Sequence, residues 1–271
     1  MAVLVAGRFR LDLAQPLVMG VVNVTPDSFS DGGKFFDPKA AVAHAVNLDA
    51  DILDIGGESS RPGALPVSAQ QEMDRILPVL EGLKGVEKPI SVDTRRPEVM
   101  QAALRAGASM INDIEALQAP GALDAVANSR CAVCLMHMKG EPATMQKDPH
   151  YDDVVGEVLG FLKGRTQVAM QAGIAQERIV IDPGFGFGKT VAHNMEVLRN
   201  LARFKALGVP ILAGWSRKST LGKLTGRPAE ERLAASLAAA LLALQGGATI
   251  LRVHDVKETR DVIAVWRAYR Q

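Results

Sequence analysis

Three residues able to grip a flat polar molecule, Asp93, Asn112 and Asp182, each stand at the end of a short apolar run. Two carboxylates and an amide brought together offer acceptors in a plane. That set suits the edge of a planar heterocycle carrying N–H and amino donors, because a guanidine-like edge pairs bidentately with a carboxylate. A second group is cationic. Arg252 and His254 are two residues apart, so on a strand both side chains leave the same face, and Lys218 follows another apolar run. The chain has 31 basic and 30 acidic residues and a net charge of +1, so it has no long-range field for nucleic acid or an anionic membrane. The cation cluster is therefore a local feature, suited to a phosphate or diphosphate.

These residues need a scaffold that delivers them to one place. Eight apolar runs end on polar residues: Leu17 to Val22 on Asn23, Ile52 to Ile55 on Gly56-Gly57-Glu58, Ile90 to Val92 on Asp93, and Ser109 to Ile111 on Asn112-Asp113. The others are Ala132 to Met136 on His137, Ile179 to Ile181 on Asp182, Ile211 to Gly214 before Ser216-Arg217-Lys218, and Ile250-Leu251 before Arg252. Short apolar runs of this kind read as strands buried on both faces. Helix-period segments separate them, over 38–48, 68–83, 97–106, 121–128, 151–172, 193–204, 230–245 and 256–269. Strand then helix, eight times, predicts an α/β fold, a closed (β/α)8 TIM barrel whose polar strand ends share one rim. Barrels often bind phosphate after strands seven and eight, where the cations fall.

Residues 1–14 read as an N-terminal β-hairpin around Gly7, capping the bottom of a barrel over 15–271, with no linker to suggest a second domain. The loops over 24–37 and 57–67 are long, polar and rich in Gly and Pro, as expected of mobile lids at a catalytic rim.

Other motifs are read as structural. Asp182-Pro-Gly-Phe-Gly-Phe-Gly-Lys-Thr190 resembles a nucleotide-binding loop, but Pro183 stands where its first glycine belongs. Proline lacks the N–H an anion nest uses, so the glycines are expected to turn the chain sharply and present Phe187 to a ring. Cys131 and Cys134 lie along a strand and are expected to be reduced structural thiols. Met136-His137-Met138 lacks a second ligand at metal spacing, although Met136 could flank a flat ligand through its sulfur. No signal-peptide core or membrane-length apolar run occurs, and a cytoplasmic location is expected.

The motifs in order resemble the dihydropteroate synthases, a pterin-binding TIM-barrel family. They are 19-MGVVNVTPDSFSDGG-33, 56-GGESSRPG-63, 91-SVDT-94, 134-CLMHM-138, 182-DPGFGFGK-189, 216-SRKS-219 and 252-RVHD-255. The resemblance implies condensation of 6-hydroxymethyl-7,8-dihydropterin diphosphate with 4-aminobenzoate, giving 7,8-dihydropteroate and diphosphate in folate biosynthesis. Carried over, it places the pterin on Asp93, Asn112, Met136, Asp182 and Lys218. It places the diphosphate on Asn23, Arg252 and His254, and Mg²⁺ on Asn23. The aminobenzoate would meet Ser60, Arg61, Pro62, Phe187, Lys218 and Ser219. Asp93, Lys218 and Arg252 would carry the catalysis, and the family implies a homodimer. Two positions depart from the pattern: Ser60, usually Thr, and Trp215, usually smaller. Alternation leaves two orientations for Trp215, into the helix layer or toward the rim, where it would change the pocket's shape. The rival readings are a methyltetrahydrofolate-dependent methyltransferase barrel, which has no use for the cation cluster, and a non-catalytic pterin-binding paralogue.

Overall fold

The structure, a computed structural model, describes residues 3–25, 37–58 and 67–270. The chain starts with an antiparallel hairpin, β1 (Val3–Ala6) and β2 (Phe9–Asp12), turning at Gly7, whose φ is 62°. Eight parallel strands follow: β3 (Leu17–Asn23), β4 (Ile52–Gly56), β5 (Ile90–Asp93), β6 (Met110–Asp113), β7 (Ala132–Met136), β8 (Ile179–Asp182), β9 (Leu212–Ala213) and β10 (Ile250–Val253). Each pairs with its sequence neighbour from β3 to β8, and β10 lies between β3 and β9. A parallel bridge between Ile181 and Ile211 joins β8 to the run leading into β9 and closes the cylinder. The expected barrel is observed.

Between the strands lie α1 (Pro38–Asn47), α2 (Ala69–Gly82), α3 (Pro97–Arg105), α4 (Ala122–Ala127), α5 (Val154–Gln171), α6 (Val191–Arg199), α7 (Ser219–Thr225) and α8 (Leu233–Gly246), and α9 (Val256–Arg270) follows β10. Their starts are chemically marked. Ser68 and Gln71 exchange the two bonds of a capping box at α2, and Asp153 accepts from Gly156 N at α5, caps of the kind that contribute about 1 kcal/mol each. Two local readings change. The segment read as one helix over 193–204 is α6 followed by a 3₁₀ turn, Leu201–Leu207, which ends at Gly208 in the left-handed region. The short α7 was not foreseen, because Gly222 and Gly226 obscure its period.

Period-two alternation divides the barrel strands into two sets. One set faces the helices and includes Val18, Leu53, Val92, Ile111, Val133, Ile181, Ala213 and Leu251. The other fills the interior with Met19, Ile52, Met110, Cys134, Val180, Leu212 and Ile250, and Leu4 and Ala6 of the hairpin join it from below. The hairpin thus plugs the barrel bottom, pinned by the Gly7 N–H donating to Arg130 O at 2.9 Å. Two residues beyond Ile52, Met110, Val180 and Ile250, the same alternation points Asp54, Asn112, Asp182 and Arg252 up toward the opposite mouth. Cys131 and Cys134 belong to different layers, both buried and free, and burial pushes both thiols up.

Candidate active site

Asp54, Asp93, Asn112 and Arg252 meet at the C-terminal mouth of the barrel. Strand register brings Asp93 level with Gly56 on one side and Asn112 on the other. From across the barrel, Arg252 Nε donates to Asp54 Oδ2 at 2.6 Å and its Nη2 donates to Asp93 Oδ2 at 2.7 Å. Asn112 Nδ2 donates to Asp54 Oδ2 at 3.4 Å. The predicted heterocycle grip and the predicted anion site therefore touch.

Their charges depend on one another. Burial pushes the Asp93 carboxyl up to about 7 despite the pull of Arg252, and the nearby Asp54 charge adds to the rise. Burial opposes the Arg252 charge, but Asp54 and Asp93 outweigh it and hold the guanidinium ionised. The side chain of Asp54 is wholly buried, while that of Asp93 remains 16 % exposed, so Asp93 is the carboxylate a ligand can reach. Asp54 was not singled out from the sequence, because it sits inside a run read as an apolar strand. A mid-strand carboxylate was itself a signal, since a buried charge needs a fixed partner.

Asp182 ends β8 opposite Met136. Its Oδ1 accepts from Gly184 N at 2.7 Å, and burial raises its pKa. A Cβ placed on Gly214 would stand 4.0 Å from both Asp182 Oδ2 and Arg252 Cβ, so the missing side chain keeps open the space between them. Asn23 comes up beside this group, its Oδ1 3.8 Å from where a Gly56 Cβ would lie. His254 Nδ1 is 2.9 Å from Ser216 Oγ, which also accepts from the His254 N–H at 3.2 Å.

The third sector is aromatic. Phe187 is buried with Ile114, Met136 and Met145, and Lys218 Nζ lies 4.1 Å above its ring centre, a cation–π contact. Gly186 makes this approach possible, since a Cβ there would come within 3.3 Å of Lys218 Cδ. Ser219 is exposed at the start of α7. The adjacent Arg217 is drawn away, donating to Asp255 from Nε at 3.2 Å and Nη2 at 2.5 Å. Of the two orientations open to it, Trp215 takes the helix layer, its ring 4.5 Å from that of Phe185.

Ser60, Arg61 and Pro62 lie outside the described residues, but the ends of their segment are described. Arg96 Nη1 and Nη2 donate to Glu58 at 2.7 and 3.0 Å, Arg96 Nη1 donates to buried Glu72 at 2.6 Å, and Arg96 Nη2 donates to Val67 O at 2.5 Å. One guanidinium thus ties Glu58 to Val67. Lys189, the lysine of the nucleotide-loop look-alike, is buried and faces protein acceptors rather than an open anion nest.

Residues 19–254 match the pterin binding enzyme family. The chain is 50 % identical over 262 residues to the dihydropteroate synthase of Escherichia coli K12, covering 95 % of this chain and 93 % of that one. It superposes on the Xanthomonas albilineans dihydropteroate synthase in complex with indole-2-carboxylic acid and 6-chloroguanine, with a TM-score of 0.93, 53 % identity and coverage of 100 % and 99 %. A Burkholderia cenocepacia dihydropteroate synthase complexed with 7,8-dihydropteroate gives 0.90 at 48 % identity, covering 99 % of this chain and 96 % of that one. The chain belongs to the pterin binding enzyme family and, within it, to the dihydropteroate synthases.

Proposed function

We propose that this chain joins 6-hydroxymethyl-7,8-dihydropterin diphosphate to 4-aminobenzoate, releasing diphosphate and forming 7,8-dihydropteroate in folate biosynthesis. The observation that carries this reading is Arg252 held between Asp54 and Asp93. It sets a cation for a leaving anion beside Asp93, the carboxylate of this pair that a planar ring can reach. Relatives crystallised with 6-chloroguanine and with 7,8-dihydropteroate support a flat bicyclic ligand.

In this scheme Asp182 and Asn112 orient the ring through its N–H and amino donors, Met136 lies along its face, and Lys218 meets its edge. Arg252, His254 and Asn23 receive the diphosphate. Lys218 and Arg252 disperse the charge that builds on the leaving oxygen as the bond to the exocyclic methylene breaks. The resulting cation is conjugated with the ring and is stabilised by ionised Asp93. The arylamine then attacks. It is already neutral near pH 7 and needs little help from a base. Phe187, Lys218 and Ser219, with Ser60, Arg61 and Pro62 from the second loop, hold it in line, and excluded water cannot trap the cation.

Mg²⁺ is part of this proposal. Among the described residues no cluster of three or more His, Cys, Asp or Glu could hold a metal. Asn23 Oδ1 stands 3.8 Å from where a Gly56 Cβ would lie, at the mouth beside Asp93. Its hard oxygen suits a cation that arrives with its phosphates, and such an ion would neutralise diphosphate charge. We also place the chain in the cytoplasm as a homodimer. Exposed Ala234, Ala238 and Leu242, spaced by four along α8, give an apolar stripe to bury. No helix among the described residues is long and apolar enough to cross a membrane.

The test is a turnover assay with each substrate alone and with both. Diphosphate should appear only with both, in step with dihydropteroate. Release from the pterin substrate alone, or binding without turnover, would contradict the assignment.

A further inference from the structure

The Gly188-Lys189-Thr190 motif has no part in the chemistry above, yet Lys189 is 2 % exposed, and it takes a reason to bury a lysine. Its ammonium is spent on protein acceptors. Nζ lies 2.9 Å from His137 Nδ1 and donates to Gly184 O at 2.9 Å and Phe187 O at 3.1 Å. Burial pulls the Lys189 pKa down to about 7; the ammonium form has three donors, and these three contacts match them. Two of the acceptors belong to the 184–188 turn, and the third belongs to the segment after β7.

We propose that Lys189 is a positioning residue for the arylamine side of the reaction, fixing the 184–188 turn so that the Phe187 ring lies beneath Lys218.

The surroundings leave the turn little other freedom. The main-chain N–H of His137, the residue whose ring meets Lys189, donates to Asp182 O at 3.0 Å and joins the same two segments. Gly184 and Gly188 both have positive φ, and a Cβ on either would strike the opposing segment, at 1.9 Å from His137 O or 2.2 Å from Lys139 O. Tyr151 Oη donates to Gly188 O at 2.8 Å. On the far side, Asn194 accepts from Gly186 N at 2.7 Å and donates to Thr220 Oγ1 at 3.1 Å, which fixes the turn relative to α7 and hence to Lys218 and Ser219. The Phe187 carbonyl is therefore bonded to a buried ammonium while its ring meets an accessible one. The His137 ring stays neutral, its pKa pulled down to about 2 by burial and by the charge of Lys189. A neutral ring is what lets Nδ1 accept.

This inference rests on the proposed placement of aminobenzoate against Phe187. The test compares the wild-type chain with Lys189→Met, His137→Leu and His137→Asn, measuring KM for each substrate and kcat. Asn keeps an acceptor near the position of Nδ1, and Leu does not. Lys189→Met should raise KM for 4-aminobenzoate by about tenfold, since it leaves three buried acceptors without donors, with KM for the pterin substrate nearly unchanged. His137→Leu should shift the same constant by a smaller factor, and His137→Asn should restore it. If Lys189→Met does not fold, the His137 pair decides alone. Equal changes in both KM values, a fall in kcat only, or no rescue by Asn would overturn the positioning role. A wild-type chain that releases no diphosphate would instead overturn the functional reading beneath it.

Discussion

Arg252 Nη2 stands 2.7 Å from Asp93 Oδ2, with its Nε on Asp54, so the cation assigned to the leaving group also sets the charge of the carboxylate assigned to the ring. The two halves of the site are one ionic unit.

That unit predicts a pH profile. Burial raises Asp93 to about 7, so it is protonated below that pH and cannot stabilise a cation. Turnover should fall on the acid side with a midpoint near 7. In Asp54→Asn a neighbouring negative charge is gone and Arg252 is left to Asp93, so the limb should move to lower pH. A limb that stays in place or moves upward would contradict the coupling. For stability the sign is opposite to that of a salt-bridged acid of lowered pKa. Between 3.8 and about 7 the folded chain holds a proton the unfolded chain has released, so this group favours the fold at the acid end and loses that advantage as pH rises through 7.

Asp182→Ala should weaken binding of a pterin lacking phosphates by about 3 kcal/mol, because ring donors would be buried without acceptors. Calorimetric titration measures it. Near-wild-type affinity would remove Asp182 from the ring site.

Arg96 holds Glu58, buried Glu72 and Val67 O together. Arg96→Met leaves Glu72 uncompensated and should cost about 3 kcal/mol in urea unfolding. Arg95→Met, which releases a partly exposed pair with Glu115, should cost about 1 kcal/mol or less. Equal small losses would show that Arg96 holds nothing essential.

Gly184 and Gly226 share positive φ but differ in surroundings. Gly226→Ala meets nothing within 4 Å and should cost about 1–2 kcal/mol for the left-handed backbone. Gly184→Ala must also displace His137 O and should be far more destabilising, with aminobenzoate turnover lost. Similar melting temperatures for the two variants would contradict the close packing of that turn.

The eight strands and their polar ends were legible because burial on both faces leaves an apolar run, and because alternation then fixes which strand-end residues face the mouth. Asp93, Asn112, Asp182 and Arg252 follow from that rule. Asp54 obeys it too, but was hidden inside a run judged by its average hydrophobicity. The partners of Lys189 were not legible, because they are two main-chain carbonyls and a ring 52 residues away. The break at Asn200 and the short α7 were missed because each ends within about two turns, too short for a helical period to declare itself. Aromatic placement was half legible: the opposite faces of Gly214 and Trp215 follow from alternation, whereas the seat of Phe187 under Lys218 is made by tertiary packing.

The most direct test is a crystal structure of the chain with the pterin diphosphate substrate. The ring should lie against Asp182 and Asn112, with its diphosphate reaching Arg252 and His254 at the mouth away from the hairpin. Ligand seated beneath β1 and β2, or a ring and diphosphate that straddle Arg252 without touching these groups, would contradict the joined site from which everything else follows.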